Sequence, residues 1–284
     1  DFQSSPQCQR LPTMRIDAEV RFWRRSKTPT QFQDTPLLTQ DYLLQHLEPQ
    51  LMTHGFKGCI AVLETELAAL PSVERKTLLA HRHILGVIPP LPEQAELPSA
   101  PQAGVLGYHL RSFTGSTHQL KQLDILSRLD LPLELDLAGT SVETVRDLIE
   151  KMPNLRIIFN RMGGLGGATD QVKTADDPWP TAIQWLQDHP QTFIKLSGLI
   201  KPSDAGHFDE WDLPLDHFKP RLEALLAIFG EDRMLFSSNW PAGLMAASFE
   251  DTLDLISALI EMLAPQSLAK IMGLNAALCY RIGN

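Results

Sequence analysis

Eight short apolar runs, rich in β-branched residues, recur along the chain at 14–20, 57–63, 83–88, 104–110, 131–137, 155–160, 192–197 and 233–237. Longer segments with helical spacing lie between most of them, at 39–54, 116–129, 141–152, 181–189, 216–229 and 248–264. A strand that returns parallel to its predecessor needs a crossover, so this alternation predicts a parallel sheet with helices outside it. Eight such units in about 250 residues is the count of an α/β (β/α)8 barrel, the TIM-barrel arrangement. An open doubly wound sheet is the competing fold, but no Gly-x-Gly-x-x-Gly follows the first run. Thr140-Ser141-Val142-Glu143 reads as the capping box that opens one helix, and the Pro- and Gln-rich stretch 90–103 reads as a loop. The polar residues 1–12 are expected to form an N-terminal arm, and 13–284 a single barrel domain.

Charge narrows the partners. The formal net charge of -9 excludes a nucleic-acid or anionic membrane surface in general terms. The three cysteines, Cys8, Cys59 and Cys279, have neither disulfide-like nor zinc-like spacing, and no run is long enough to span a bilayer. With no signal-peptide layout, the expected setting is the cytoplasm, and the start at Asp1 reads as trimmed. Pairing with a second copy of the chain stays open.

In a barrel of this kind, functional side chains come from the C-terminal ends of the strands. Residues two apart in a strand share a face, so Glu19 and Arg21 are expected side by side at the end of the first strand, with Trp23 following. The fourth strand supplies His109, the sixth ends in Asn160-Arg161, the seventh carries Lys195, and the eighth leads to Asn239-Trp240. In Leu133-Glu134-Leu135-Asp136-Leu137 the acids share a face, and their leucine neighbours should turn them inward. Interior acids need partners, and Arg21 and Arg161 are the expected ones. Trp23 and Trp240 follow strands that become neighbours in a closed barrel, where they could wall the site or pack under a loop. His81-x-His83 should lie at the opposite, lower end and reads as surface. The Gly-rich 163–167 reads as a flexible loop.

These strand ends also carry a family resemblance. Ile16-Asp17-Ala18 with Phe22-Trp23 resembles the Ile-Asp-Ala-His-x-His-Phe-Trp motif of the amidohydrolase-related (amidohydrolase 2) family, TIM-barrel metal-dependent hydrolases and lactonases. Gly104 to His109, Asn160-Arg161-Met162-Gly163-Gly164, Lys195-Leu196-Ser197-Gly198, the run Arg233 to Pro241, and Gly273-Leu274-Asn275-Ala276 with Tyr280 resemble its later motifs in the same order. The family's histidines are replaced by Glu19, Arg21 and Arg161, and its aspartates by Asn160 and Asn239. The resemblance implies the fold and a site at the barrel mouth.

The replaced residues change the chemistry in kind. Guanidiniums cannot ligate a metal, and asparagine cannot accept a proton near neutral pH, so neither metal nor other cofactor is expected. The expected function is metal-independent, lactonase-type hydrolysis of a small anionic cyclic ester or related metabolite. Glu19, His109 and Asn239 form the catalytic set, and Arg21, Arg161, Lys195, Trp23 and Trp240 bind the substrate. The alternative is a catalytically silent relative that binds a small ligand or a partner protein.

Overall fold

A computed structural model describes residues 14–136, 140–163, 179–207 and 214–283. The expected arm at 1–12 and nearly all of the Gly-rich 163–167 lie outside them. Eight strands lie among the described residues: β1 (Arg15–Val20), β2 (Phe56–Val62), β3 (Ile84–Ile88), β4 (Tyr108–Leu110), β5 (Leu133–Leu135), β6 (Ile157–Phe159), β7 (Thr192–Lys195) and β8 (Met234–Leu235). All pair in parallel, β1-β2-β3 in one sheet and β4 through β8 in sequence order in the other. Backbone bonds join the sheets on both sides. Val87 and Gly104, and His109 and Pro89, link β3 to β4; Ala18 N–H to Phe236 O at 3.0 Å and Arg21 N–H to Trp240 O at 2.8 Å link β1 to β8. The result is the (β/α)8 arrangement.

The helices are α1 (Leu44–Thr53), α2 (Ser72–Ala80), α3 (Thr117–Arg128), α4 (Val142–Lys151), α5 (Trp179–Ile183), α6 (Leu215–Phe229), α7 (Phe249–Leu263) and α8 (Asn275–Cys279). Helix α2 is absent from the sequence-based set because its apolar stripe is thin and none of its residues is buried. The cap of α4 is Ser141, whose hydroxyl accepts from Thr144 N–H at 3.2 Å. Thr140 instead accepts from Phe113 N–H at 3.1 Å, so the cap lies one residue later than expected and the reciprocal box with Glu143 does not form. No helix among the described residues is long and apolar enough to cross a membrane.

Alternate strand residues divide between two cores. Ile16, Ala18, Ile60, Val62, Ile88, Ile158 and Leu235 pack together with Ala276 and Tyr280 from the C-terminal segment. Val20, Ala61, Val87, Leu135, Phe159, Ile194 and Phe236 pack instead against helix residues such as Leu47, Leu148 and Leu222. The first set fills the barrel and the second lies under the helices, as a period of two requires. Each Val, Leu, Ile or Phe among them contributes roughly 1.5–3 kcal/mol by leaving water. The C-terminal segment closes the lower end of the interior. It passes so near β1 that a Cβ on Gly273 would lie 1.6 Å from Met14 O, which only glycine allows.

One irregularity positions the site. Asp17 pairs with Cys59 and Val20 with Ala61, so β1 spends three steps where β2 spends two. This extra residue is a β-bulge. It places Glu19 and Arg21 on the interior side together with Ile16 and Ala18, and it sends Val20 to the outer core.

Candidate active site at the barrel mouth

The strand ends assemble a chain of charges that begins on the barrel floor. Tyr280 donates its hydroxyl to Glu134 Oε1 at 2.6 Å, and Glu134 Oε2 lies 2.7 Å from Lys195 Nζ. Both members of that ion pair are fully buried. Lys195 needs an anion, as expected, but the anion is internal: Glu134 meets it, and neither group faces solvent. Glu134 therefore pairs with Lys195 and not with either arginine. Burial first, and then the Glu134 carboxylate, push the Tyr280 phenol well above its ordinary value, so its proton stays in place.

Above this floor sits Glu19, also fully buried. Its Oε1 is 2.6 Å from Arg21 Nη1, and its Oε2 accepts from Ser197 Oγ at 2.7 Å. Burial alone would raise this carboxyl, but Lys195 and Arg21, with the serine hydroxyl, outweigh it and hold it at about 2. Both oxygens are engaged and the group is a very weak base. Arg21 extends further: Nη1 donates to Asn239 Oδ1 at 3.2 Å, and Nε lies 3.1 Å from Glu64 Oε1. Glu64 also pairs with Arg111. Arg161 pairs with Asp136, as the shared face of the fifth strand led us to expect. Asn239 has φ +54° and Arg161 φ +50°, left-handed backbone uncommon for residues other than glycine and found at functional sites.

The remaining expected residues are placed as follows. His109 is buried, and its Nε2 lies 2.7 Å from Leu63 O. A carbonyl only accepts, so Nε2 carries the proton and Nδ1 keeps the lone pair. Burial is the first cause that lowers its pKa, to about 4. Trp23 and Trp240 are buried and share Tyr42 between them, with ring centroids at 5.5 and 5.2 Å. Trp23 donates its indole N–H to Leu38 O at 3.1 Å, so it anchors the loop that leads into α1. Sequence reasoning missed Glu64 and Arg111. Each is the first charged residue beyond a strand's C-terminal end, which is the signal that would have found them.

Asp17 marks the seam between β1 and β8. It accepts from Ser238 N–H at 3.0 Å, Ser238 Oγ at 2.5 Å and Glu19 N–H at 3.2 Å. Complete burial nevertheless raises its carboxyl to about 6.

A divalent metal does not fit this mouth. At the positions that would ligate it stand a carboxylate already closed by Arg21 and Ser197, an amide already bonded to Arg21, and two guanidiniums.

A family model described as "Amidohydrolase" matches residues 34–282. An L-fucono-1,5-lactonase of Burkholderia ambifaria is 26% identical over 296 aligned positions, covering 95% of this chain and 96% of that protein. An L-fucono-1,5-lactonase of Burkholderia multivorans is 32% identical over 114 residues, 40% of this chain and 38% of that one. Among solved structures, an amidohydrolase from Burkholderia multivorans with bound zinc superposes with a TM-score of 0.75 at 20% identity, covering 95% of this chain and 99% of that one. A protein assigned as a 2-pyrone-4,6-dicarboxylic acid hydrolase from Pseudomonas putida gives 0.64 at 18% identity, covering 96% and 99%.

Proposed function

The chain belongs to the amidohydrolase family, and from that membership we propose a metal-independent, lactonase-type hydrolysis of a small anionic cyclic ester at the barrel mouth. Water adds to the ring carbonyl, the acyl C–O bond breaks, and the released alkoxide takes up a proton to give the hydroxy acid. The observation that carries this reading is the group of guanidiniums at the strand ends. Burial is the first cause that lowers the pKa of Arg161; of the nearby charges, Glu19 opposes the shift, while the neighbouring guanidiniums of Arg21 and Arg111 add to it. A carboxylate or a developing oxyanion is the complementary ligand, since arginine grips a carboxylate in bidentate fashion and donates to the single oxygen of an oxyanion. The likeness to L-fucono-1,5-lactonases supports the reaction class.

The general base in this proposal is His109. Glu19 is held near 2 with both oxygens occupied, and Asn239 has no proton-accepting form in the working range. His109 is neutral above about pH 4 and keeps a lone pair on Nδ1. The test is hydrolysis of aldono-1,5-lactones and 2-pyrone-4,6-dicarboxylate by metal-stripped protein. We expect kcat/KM to decline only as pH falls through about 4, and His109→Gln to lose at least the roughly 100-fold a general base supplies. Retained turnover in that variant would remove His109 from the mechanism, and activity that returns only with added metal would remove metal independence.

A second reading rests on the completeness of the ion pairing. Glu19, Glu64, Glu134 and Asp136 each face a cation of the mouth or the floor. A silent relative that binds an anion without turning it over would have such a site. It predicts saturable binding of 2-pyrone-4,6-dicarboxylate with no product formed.

A further inference from the structure

The lower end of the barrel carries a second cluster of ligating side chains, remote from the mouth. Glu48 on α1, His81 at the C-terminal end of α2 and His83 just before β3 present ligand atoms that all lie within 4.8 Å of one another. It is the one such cluster among the described residues. His81 and His83 reach the surface, as expected, but are partly covered: their side chains are 31% and 11% exposed, and Glu48 is 26% exposed. From this geometry we propose that Glu48, His81 and His83 form a binding site for a zinc-like divalent transition ion, a structural clamp that ties α1 to the start of β3.

The distances suit such an ion. His83 Nδ1 lies 2.9 Å and His81 Nε2 3.8 Å from Glu48 Oε1. Tetrahedral bonds of about 2.0–2.2 Å place ligand atoms about 3.3 Å apart, midway between those two values. The ion would replace the proton that His83 and Glu48 now share. Two imidazoles, one carboxylate and a water make the mixed nitrogen and oxygen set that zinc takes readily and that calcium or magnesium does not. The scaffold is already in place, because His83 O accepts from Cys59 N–H at 2.8 Å and so fixes the turn to β2.

Two contacts must yield. Arg82 Nη2 stands 3.7 Å from Glu48 Oε1, but its side chain is 70% exposed and can swing into water. His81 Nδ1 accepts from His83 N–H at 3.3 Å, and ligation through Nε2 requires that long bond to break, since Nδ1 then carries the proton. The site is therefore formed in outline and completed by the ion.

The inference does not depend on the mouth being an enzyme. It has a consequence for metal analysis all the same: zinc bound to this protein belongs between α1 and the start of β3 and is no evidence for a metallo-hydrolase. The test is calorimetric titration of the full, metal-stripped chain with zinc chloride, alongside thermal melting with and without zinc. We expect one equivalent to bind and the melting temperature to rise. His83→Ala and the isosteric Glu48→Gln should each weaken binding at least as much as the roughly 10–100-fold that loss of an outer-shell partner causes. Arg21→Ala at the mouth should leave zinc binding unchanged. The proposal is overturned by absence of binding at millimolar zinc, by undiminished binding in both His83→Ala and Glu48→Gln, or by loss of zinc binding in Arg21→Ala.

Discussion

The floor and the mouth of this barrel are built from the same interaction and differ in what water can reach. On the floor, Lys195 and Glu134 are fully buried, and Tyr280 donates to the carboxylate oxygen that Lys195 does not face. At the mouth, Arg161 is 45% exposed against Asp136, and Arg111 is 61% exposed against Glu64. A charge pair sealed from water has no alternative partner, whereas a pair at the rim can exchange one anion for another. The floor thus acts as a fixed keystone, and the mouth is where an incoming anion can compete.

The largest effect should come from breaking the keystone. Lys195→Met leaves Glu134 buried without its cation, and we expect a loss of about 3–5 kcal/mol in urea unfolding. Arg161→Ala at the rim should cost less than about 1 kcal/mol. Equal losses would erase the distinction between floor and mouth. The double variant Lys195→Met with Glu134→Leu should recover most of the loss, because a buried pair is often replaceable by apolar groups of similar volume.

Next in size is a pair of opposite pH effects two residues apart. Glu19 is lowered from 4.5 to about 2, so its contribution is present above pH 4.5 and is lost as pH falls toward 2. Asp17 is raised from 3.8 to about 6, so its contribution is present below pH 3.8 and is lost as pH rises through 6. Each amounts to about 3 kcal/mol, on the order of 1.4 kcal/mol per pH unit. Unfolding free energy measured from pH 2 to 7 should show the acid-side loss shrink in Glu19→Gln, with the share of Asp204 remaining, and the decline between pH 4 and 6 vanish in Asp17→Asn. If both variants keep the wild-type profile, the contrast between interior and seam is wrong.

That contrast also shows what was legible in the sequence. The eight strands were readable because their apolar runs are continuous, and the Arg161–Asp136 pair followed from a period of two. The bulge in β1 was not readable. Strict alternation puts Asp17 on the face of Glu19, while one extra residue puts it in the seam against Ser238. Nor could the sequence tell that the anion for Lys195 comes from Glu134, since β5 and β7 are held apart by β6 and the two side chains meet only by reaching past it inside the barrel. Glu48 and His81-x-His83 lie 33 residues or more apart in the chain, and only the packing of α1 beside the start of β3 brings them together.

The smallest expected effect is at Asn239, where the mouth differs from the family motif by a single amide. Asn239 sits at the rim with left-handed backbone that aspartate also tolerates, so Asn239→Asp should fold normally. The new carboxylate would stand where Asn239 Oδ1 now accepts from Arg21 Nη1 at 3.2 Å. Arg21 already carries Glu19 and Glu64 and gains a third anion, so stability should change by no more than about 1 kcal/mol. The guanidinium would hold that carboxylate ionised by lowering its pKa, and an ion-paired carboxylate takes a proton from water poorly. No imidazole stands at positions 19, 21 or 161 to orient the water. We therefore expect turnover of sugar lactones and pyrone carboxylates by Asn239→Asp to stay at or below the wild-type value. A clear rise would mean that the rim arginines tolerate a working base beside them, and that the mouth is a disabled lactonase site and not a rebuilt one.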